Sequence, residues 1–169
     1  KNEKEFYNLT IASLFKIIFN LNLIPRSFSD GTYGIKFGSQ AVVEFFTQII
    51  GLPRGKKYDS LKIPYLFLTK QSLITAFITG LFDTDFGFCL CKKYQDLPYY
   101  PQICFVSKSE NFAKEIWNAL RDLGVNFDGR VYKVIDKDER AKAGFTIQYR
   151  FDLYGHKYLI NFLKVVRPR

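Results

Sequence analysis

An α+β fold built on an antiparallel sheet with one wet face is what this sequence predicts, and three observations predict it. Apolar residues recur at helical spacing over Leu73, Ile74, Phe77, Ile78 and Leu81, and again over Phe112, Ile116 and Leu120. Phe145, Ile147, Tyr149, Phe151 and Leu153 alternate with Thr146, Gln148, Arg150 and Asp152, as in a strand with its apolar side under helices and its polar side open. From residue 70 onward the elements follow in the order αββαββα.

The first helix of that series is expected over residues 70–83. Within it Ala76 and Gly80, one turn apart, leave a strip without bulky side chains. Helix axes normally lie roughly 8–10 Å apart, and such a strip calls for close approach of another backbone. Strands follow at 87–94 and 101–107, then a helix at 109–123 opened by Ser109 and Glu110. Residues 126–129 and 136–144 carry the turn chemistry around strands at 129–135 and 144–153, before a last helix at 155–165. Upstream, a helix at 4–20, a strand pair at 27–37 and a helix at 39–50 repeat the second part of this order. Aligning Tyr33 to Phe37 with Tyr149 to Leu153 places Phe46 on Phe162. The expectation is an internal repeat whose first half lacks its leading helix and hairpin, which would lie upstream of Lys1. The predicted organisation is a partial first half at 1–66, ending in a basic linker, and a second half at 67–169.

With 169 residues, 47% of them hydrophobic, the chain has enough apolar material for a substantial core. A net charge of +9 favours a polyanionic partner, a property that basic structural proteins such as ribosomal components share. No apolar run approaches the roughly 20 residues of a membrane-spanning helix, and no signal-peptide pattern precedes the first helix, so a cytoplasmic protein is expected. Cys89 and Cys91 fall on one strand face, and with Cys104 they lack the C-x-x-C pairs of a zinc site; they are expected to be buried thiols in a reducing compartment. His156 reads as a surface or capping residue, and Trp117 as core. The absence of Met, position 1 included, points to a processed chain, a fragment or an intein-derived segment.

The chemistry concentrates where the apolar helix of residues 70–83 runs into Asp83 and Asp85. Carboxylates at a helix C-terminus face the negative end of the macrodipole, at a cost of roughly 0.3–1 kcal/mol each unless a cation compensates. The plain alternative is a pair of solvated acids after a helix. The run GLFDTDFGF, Gly80 to Phe88, resembles the LAGLIDADG motif of homing endonucleases, in the form found in archaeal and intein-encoded members. It departs from the motif at Phe86, where the family usually has its last glycine; Gly87 follows as a source of backbone freedom. The resemblance implies the LAGLIDADG homing-endonuclease fold, an αββαββα half-domain with an antiparallel DNA-binding sheet plus a partial first half. It also implies metal-dependent hydrolysis of double-stranded DNA at a long, specific target.

Asp85 matches the family's metal-binding aspartate, and Asp83 its supporting acid. Mg²⁺ or another divalent cation suits such a site, because one or two carboxylates suffice when waters and phosphate oxygens complete the shell. Gly51 to Lys57, GLPRGKK, resembles the segment preceding the second motif in archaeal members. That likeness gives Lys56 or Lys57 the role of a lysine near the scissile phosphate; a basic loop that merely grips phosphate or is solvated is the alternative. Single-chain members pack two motif helices side by side. The expected partner for Ala76 and Gly80 is therefore a second LAGLIDADG half, from a missing upstream segment or from a second copy.

On the open sheet face, Thr146, Gln148 and Arg150 suit major-groove readout, where Arg matches guanine and Gln matches adenine. Lys36, Lys92, Lys93, Lys108, Arg130 and Lys133 are expected to join that surface and to account for the positive charge. The competing expectation is a protein that keeps this fold and binds DNA or RNA without cutting, as a regulator or an intron maturase.

Overall fold

The computed structural model describes residues 3–55, 60–91, 99–139 and 141–167. They form a mixed α+β protein with two antiparallel sheets, one of two strands and one of four. The chain divides into two compact units, Lys1–Ile49 and Ile50–Arg169. Residues 60–64 thus group with the second unit, because Ile63 is buried in its core.

In the first unit a helical run, α1 (residues 3–19), contains a wider-wound π segment at Phe6–Ile11 and ends at Asn20, which adopts the left-handed conformation (φ 54°). Strands β1 (Arg26–Ser27) and β2 (Tyr33–Gly34) are only two residues long. Helix α2 (residues 40–49) starts at Ser39, whose hydroxyl accepts from the amide of Val42, and finishes in a second π segment at Phe45–Ile49. The unit is held by Phe15, Phe19, Phe37, Phe45 and Phe46, a chain of rings 5.1–5.8 Å apart. The order helix, strand, strand, helix is as expected. The five-residue alternating strand at Tyr33 to Phe37 is not: pairing stops at Gly34, whereas its supposed counterpart belongs to a ten-residue strand. Phe46 is half-buried and Phe162 fully buried, so the two are not equivalent core positions either.

In the second unit a short helix, α3 (Tyr65–Leu68), leads into α4 (Gln71–Asp85). Then come β3 (Phe86–Cys91), β4 (Tyr100–Ser107), α5 (Glu110–Asp122), β5 (Tyr132–Lys137), β6 (Phe145–Tyr154) and α6 (His156–Val165). The four strands are antiparallel in the order β3-β4-β6-β5. Ser109 caps α5, its hydroxyl accepting from the amide of Phe112 at 3.2 Å. Ile63 donates its N–H to Glu115 Oε2 at 2.6 Å, strapping the segment before α3 to α5.

One sheet face is packed under helices. Cross-strand pairing puts Phe86, Phe105 and Phe151 in one row and Phe88, Ile103 and Leu153 in the next. Phe105, Phe151, Ile103 and Leu153 are buried there with Ile78, Ile116, Leu120 and Phe162. Trp117 sits in this core, edge-on to Phe127 at 4.2 Å between ring centroids. Cover ends partway along β6: Phe145 and Ile147 are exposed, as is Ile135 opposite Ile147. The expected apolar face is therefore roofed only from Tyr149 onward, and the outer end of the β5–β6 hairpin is wet on the side expected to be dry.

The junction of α4 and β3 explains both the departure at Phe86 and the role of Gly87. The backbone turns extended at Phe86 (φ −85°, ψ 143°) with no left-handed residue. The Phe86 ring lies 4.9–6.1 Å from those of Phe82, Phe105, Phe151 and Phe162. The helix stops because this side chain is drawn into the core. Gly87 is absent from the positive-φ glycines, so it supplies no special turn. It admits Cys104 instead, whose Sγ lies 2.6 Å from where a Cβ would be.

Two outcomes follow in denaturant unfolding. Phe86→Ala should cost about 2 kcal/mol, less than deletion of a fully buried phenyl ring because Phe86 is only partly buried. Gly87→Ala should cost about 1 kcal/mol by overpacking, and Cys104→Ala in the same chain should recover it.

Candidate nucleic-acid interface and carboxylate pair

Helix α4 extends to Asp85, two residues further than the spacing indicated, so Asp83 and Asp85 both lie within its last turn and both are exposed. That turn contains no basic residue. Thr84 Oγ1 donates to Asp85 Oδ2 at 2.7 Å and lies 3.3 and 3.4 Å from the carbonyl oxygens of Gly80 and Leu81. One hydroxyl thus orients the second carboxylate at the helix end. Among the described residues no group of three or more His, Cys, Asp or Glu side chains is placed to hold a metal ion. Residues two apart on a helix do not face each other, so Asp83 and Asp85 are two separate exposed carboxylates rather than a convergent donor pair.

Along the same helix Ile74 and Ile78 face the core. Ala76 and Gly80 are exposed, and a Cβ added at Gly80 would meet nothing within 4 Å. The small-residue strip is bare.

The other sheet face is open and polar. Register places Gly87, Cys104 and Asp152 in one row, Cys89, Gln102 and Tyr154 in a second, and Val106, Arg150 and Tyr132 in a third, with Gln148 beside Val134 and Thr146 beside Asp136 beyond. Its centre is Asp152, whose side chain is 3% exposed. Arg150 donates to it through Nε at 2.9 and 3.0 Å and through Nη2 at 2.7 Å. Gln102 Nε2 donates to Asp152 Oδ1 at 2.8 Å and the Tyr132 hydroxyl donates to Oδ2. A buried carboxylate with this many donors is fully satisfied.

Burial pushes Asp152 up, but the hydrogen bonds from Arg150, Tyr132 and Gln102 outweigh it and hold the carboxyl below its usual value. Tyr132 is pushed up to about 12, by burial first and then by its bond to that carboxylate. Arg150 is held above its ordinary value, chiefly by its hydrogen bonds to Asp152. Sequence reading placed Asp152 on this face and missed its role; an acid two residues from an Arg on one strand face was the available signal.

Of the predicted basic surface, Arg150 is the single basic residue on the open face among the described strand residues. Lys133 is corrected: it pairs with Tyr149 and so lies on the opposite, helix-bearing side. Thr146 and Gln148 are on the open face and half-buried. Arg130 is exposed in the loop before β5, and Lys108 sits in the bend after β4. Lys36 is exposed in the first unit, after β2. Lys56, Lys57, Lys92 and Lys93 lie outside the described residues.

The cysteines also need correcting. Cys89 is exposed, and Cys91 and Cys104 are partly so. The Sγ atoms of Cys89 and Cys91 are 3.2 Å apart, and both thiols reach Gln102 Oε1, at 3.4 and 2.8 Å. Cys89 is pushed up to about 11, first by its hydrogen bond with Cys91 and then by burial. They extend the polar network because β3 is an edge strand with no cover on this face.

No helix among the described residues is long and apolar enough to cross a membrane. Neither a protein-family model nor a curated protein matches the sequence.

The sheet network has a pH signature with a definite sign. Asp152 is lowered in the folded state, so its stabilisation is present above the unfolded value of 3.8 and is lost as pH falls through the lower folded value. Tyr132 is raised, so its contribution is present below 10.0 and lost as pH climbs towards about 12. Urea midpoints should fall below about pH 4, less so in Asp152→Asn. A phenolate absorbance component titrating near 12 should disappear in Tyr132→Phe.

Proposed function

We propose that the chain is a DNA-binding protein of the LAGLIDADG kind, acting as a site-specific homing endonuclease that hydrolyses phosphodiester bonds of a long duplex target with Mg²⁺ or a similar divalent cation. One observation carries the reading. An apolar helix delivers Asp83 and Asp85 in its last turn directly into the first strand of a four-stranded antiparallel sheet, which is roofed by helices on one side and open and polar on the other. This is the αββαββα order that the GLFDTDFGF likeness implies.

In this reading Asp85 would hold the cation, with Thr84 fixing its carboxylate and Asp83 in support. A bound cation would supply charge neutralisation on phosphate and acidify a water. Lys56 or Lys57 would add positive charge for the phosphate. The open face of β4, β5 and β6 lies against the duplex, with Arg150, Gln148 and Thr146 towards base edges.

One acid pair serves one strand of DNA. Cutting both strands takes a second motif helix, and the bare strip at Ala76 and Gly80 is where it would pack, from an upstream segment or from a second copy. The second reading is a protein that binds DNA or RNA without cutting. It is favoured by the network around Asp152, whose hydrogen bonds are all made by described residues, whereas among the described residues no third His, Cys, Asp or Glu joins Asp83 and Asp85.

The test is Mg²⁺-dependent cutting of a randomised supercoiled plasmid library by this chain beside Asp85→Asn. Sequence-selective nicks or breaks should fall at least about 100-fold in the variant, in keeping with a metal ligand's share of transition-state stabilisation. Selective retention of DNA with no cleavage by either protein would replace the nuclease with the binder, and no selectivity in either respect would sink both.

A further inference from the structure

We propose that Arg150 reads a single guanine in the major groove and that Asp152 is its positioning residue, a division of labour that rests on the DNA-binding reading of the open face. A free arginine side chain reaches many acceptors in many rotamers, and fixing it costs side-chain entropy. Here that cost is met on folding. Asp152 takes up Nε and one hydrogen of Nη2, leaving the outer edge formed by Nη1 and the remaining Nη2 hydrogen. Among the described residues Nη1 has no protein acceptor, and the Arg150 side chain is 33% exposed against 3% for Asp152. Two parallel donors on a planar, immobilised group match O6 and N7 of guanine and find no equivalent acceptor pair on adenine, thymine or cytosine.

The anchor is itself anchored. Tyr132 on β5 and Gln102 on β4 hydrogen-bond Asp152 from either side of β6, so three strands fix the position of one guanidinium. Gln102 Nε2 also donates to the Tyr154 hydroxyl at 3.0 Å, and its Oε1 accepts from Cys91 at 2.8 Å, which settles the orientation of its amide. The same arrangement keeps the carboxylate from opposing DNA, because Asp152 lies below the surface and its charge is matched by Arg150.

The experiment is selection of bound duplexes from a randomised library by the whole chain, run with wild type, Arg150→Lys, Asp152→Asn and Tyr132→Phe, each first checked for a cooperative melt. The selected site should contain one guanine whose replacement by 7-deazaguanine, which removes N7 and touches nothing in the protein, weakens wild-type binding about 10-fold or more. Arg150→Lys keeps the charge and loses the fork, so it should bind the two duplexes within about 2-fold of each other. Asp152→Asn should broaden the base preference at that position and no other, with Tyr132→Phe a milder form of the same change. A selected site without an Arg150-dependent guanine would overturn the proposal and leave DNA binding standing; failure to select any site would overturn both. A guanine preference that survives intact in folded Asp152→Asn and Tyr132→Phe would reduce Asp152 to a structural residue.

Discussion

Packing of one partly buried side chain, Phe86, against the core sets the geometry on which the candidate sites depend. Its ring joins Phe82 on the helix, Phe105 and Phe151 on the sheet and Phe162 on the last helix, so it ties three layers of elements at one point. With that ring inward, the backbone is extended from Phe86 on, and α4 ends on Asp85 rather than continuing. The acids then stay outside for a steric reason, since the inward positions of this turn are taken by Leu81, Phe82 and Phe86. A glycine in place of Phe86 would give a freer turn, whereas a phenyl ring gives a defined one. The departure from the LAGLIDADG pattern is therefore compatible with a precise helix end.

The sheet shows how the same alternation serves two unlike surfaces. Pairing in register brings aromatic residues of three strands into one row on the roofed side, and each row of that kind fixes a row on the other side. Phe105 opposite Phe151 requires Cys104 opposite Asp152, and hence Gln102 and Arg150 flanking that carboxylate. The polar network is a consequence of core packing, and a slip of one residue would destroy both together. This gives the open face a rigidity that its exposed position would not by itself provide. On the Phe145 side of Tyr149 the roof stops, and there the strands carry wet apolar residues on the side away from the network.

Much of this was legible in the sequence because periodicity reports burial directly. The elements of the second unit lie within a few residues of where apolar spacing put them, and Ser109 marked its helix by chemistry alone. Misreadings arose where a local pattern had no access to its neighbours. Lys133 was assigned to the open face for its charge, but its side is set by pairing with Tyr149 across the hairpin. The cysteines were expected inside for their residue type, yet β3 is an edge strand, and one of its faces has no cover. In the first unit a short alternating run looked like a strand, but Gly34 is its last paired residue, and packing there is carried by a phenylalanine cluster between helices. The order of elements there is the expected one, but strand length and the burial of Phe46 and Phe162 differ between the two segments.

The distribution of charge bears most directly on how such a surface would work. A net charge of +9 invites a picture of a uniformly basic face, yet among the described strand residues the open face presents one arginine, and that arginine is paired with a buried carboxylate. The remaining described basic residues on this unit's candidate surface sit at its margins, in the bend after β4 and the loop before β5. Basic groups at the rim of a sheet meet phosphates on either side of a groove and hold a duplex without regard to sequence. A centre that is nearly neutral and densely hydrogen-bonded adds little to that grip. In the proposed DNA complex it would contribute discrimination, since a preorganised donor pair loses its hydrogen bonds when the wrong base is presented. Separating a sequence-blind rim from a sequence-reading centre lets salt weaken binding while leaving relative preference intact. If the sheet binds DNA as proposed, Arg150 and Asp152 at its middle and Lys108 and Arg130 outside it would serve that separation.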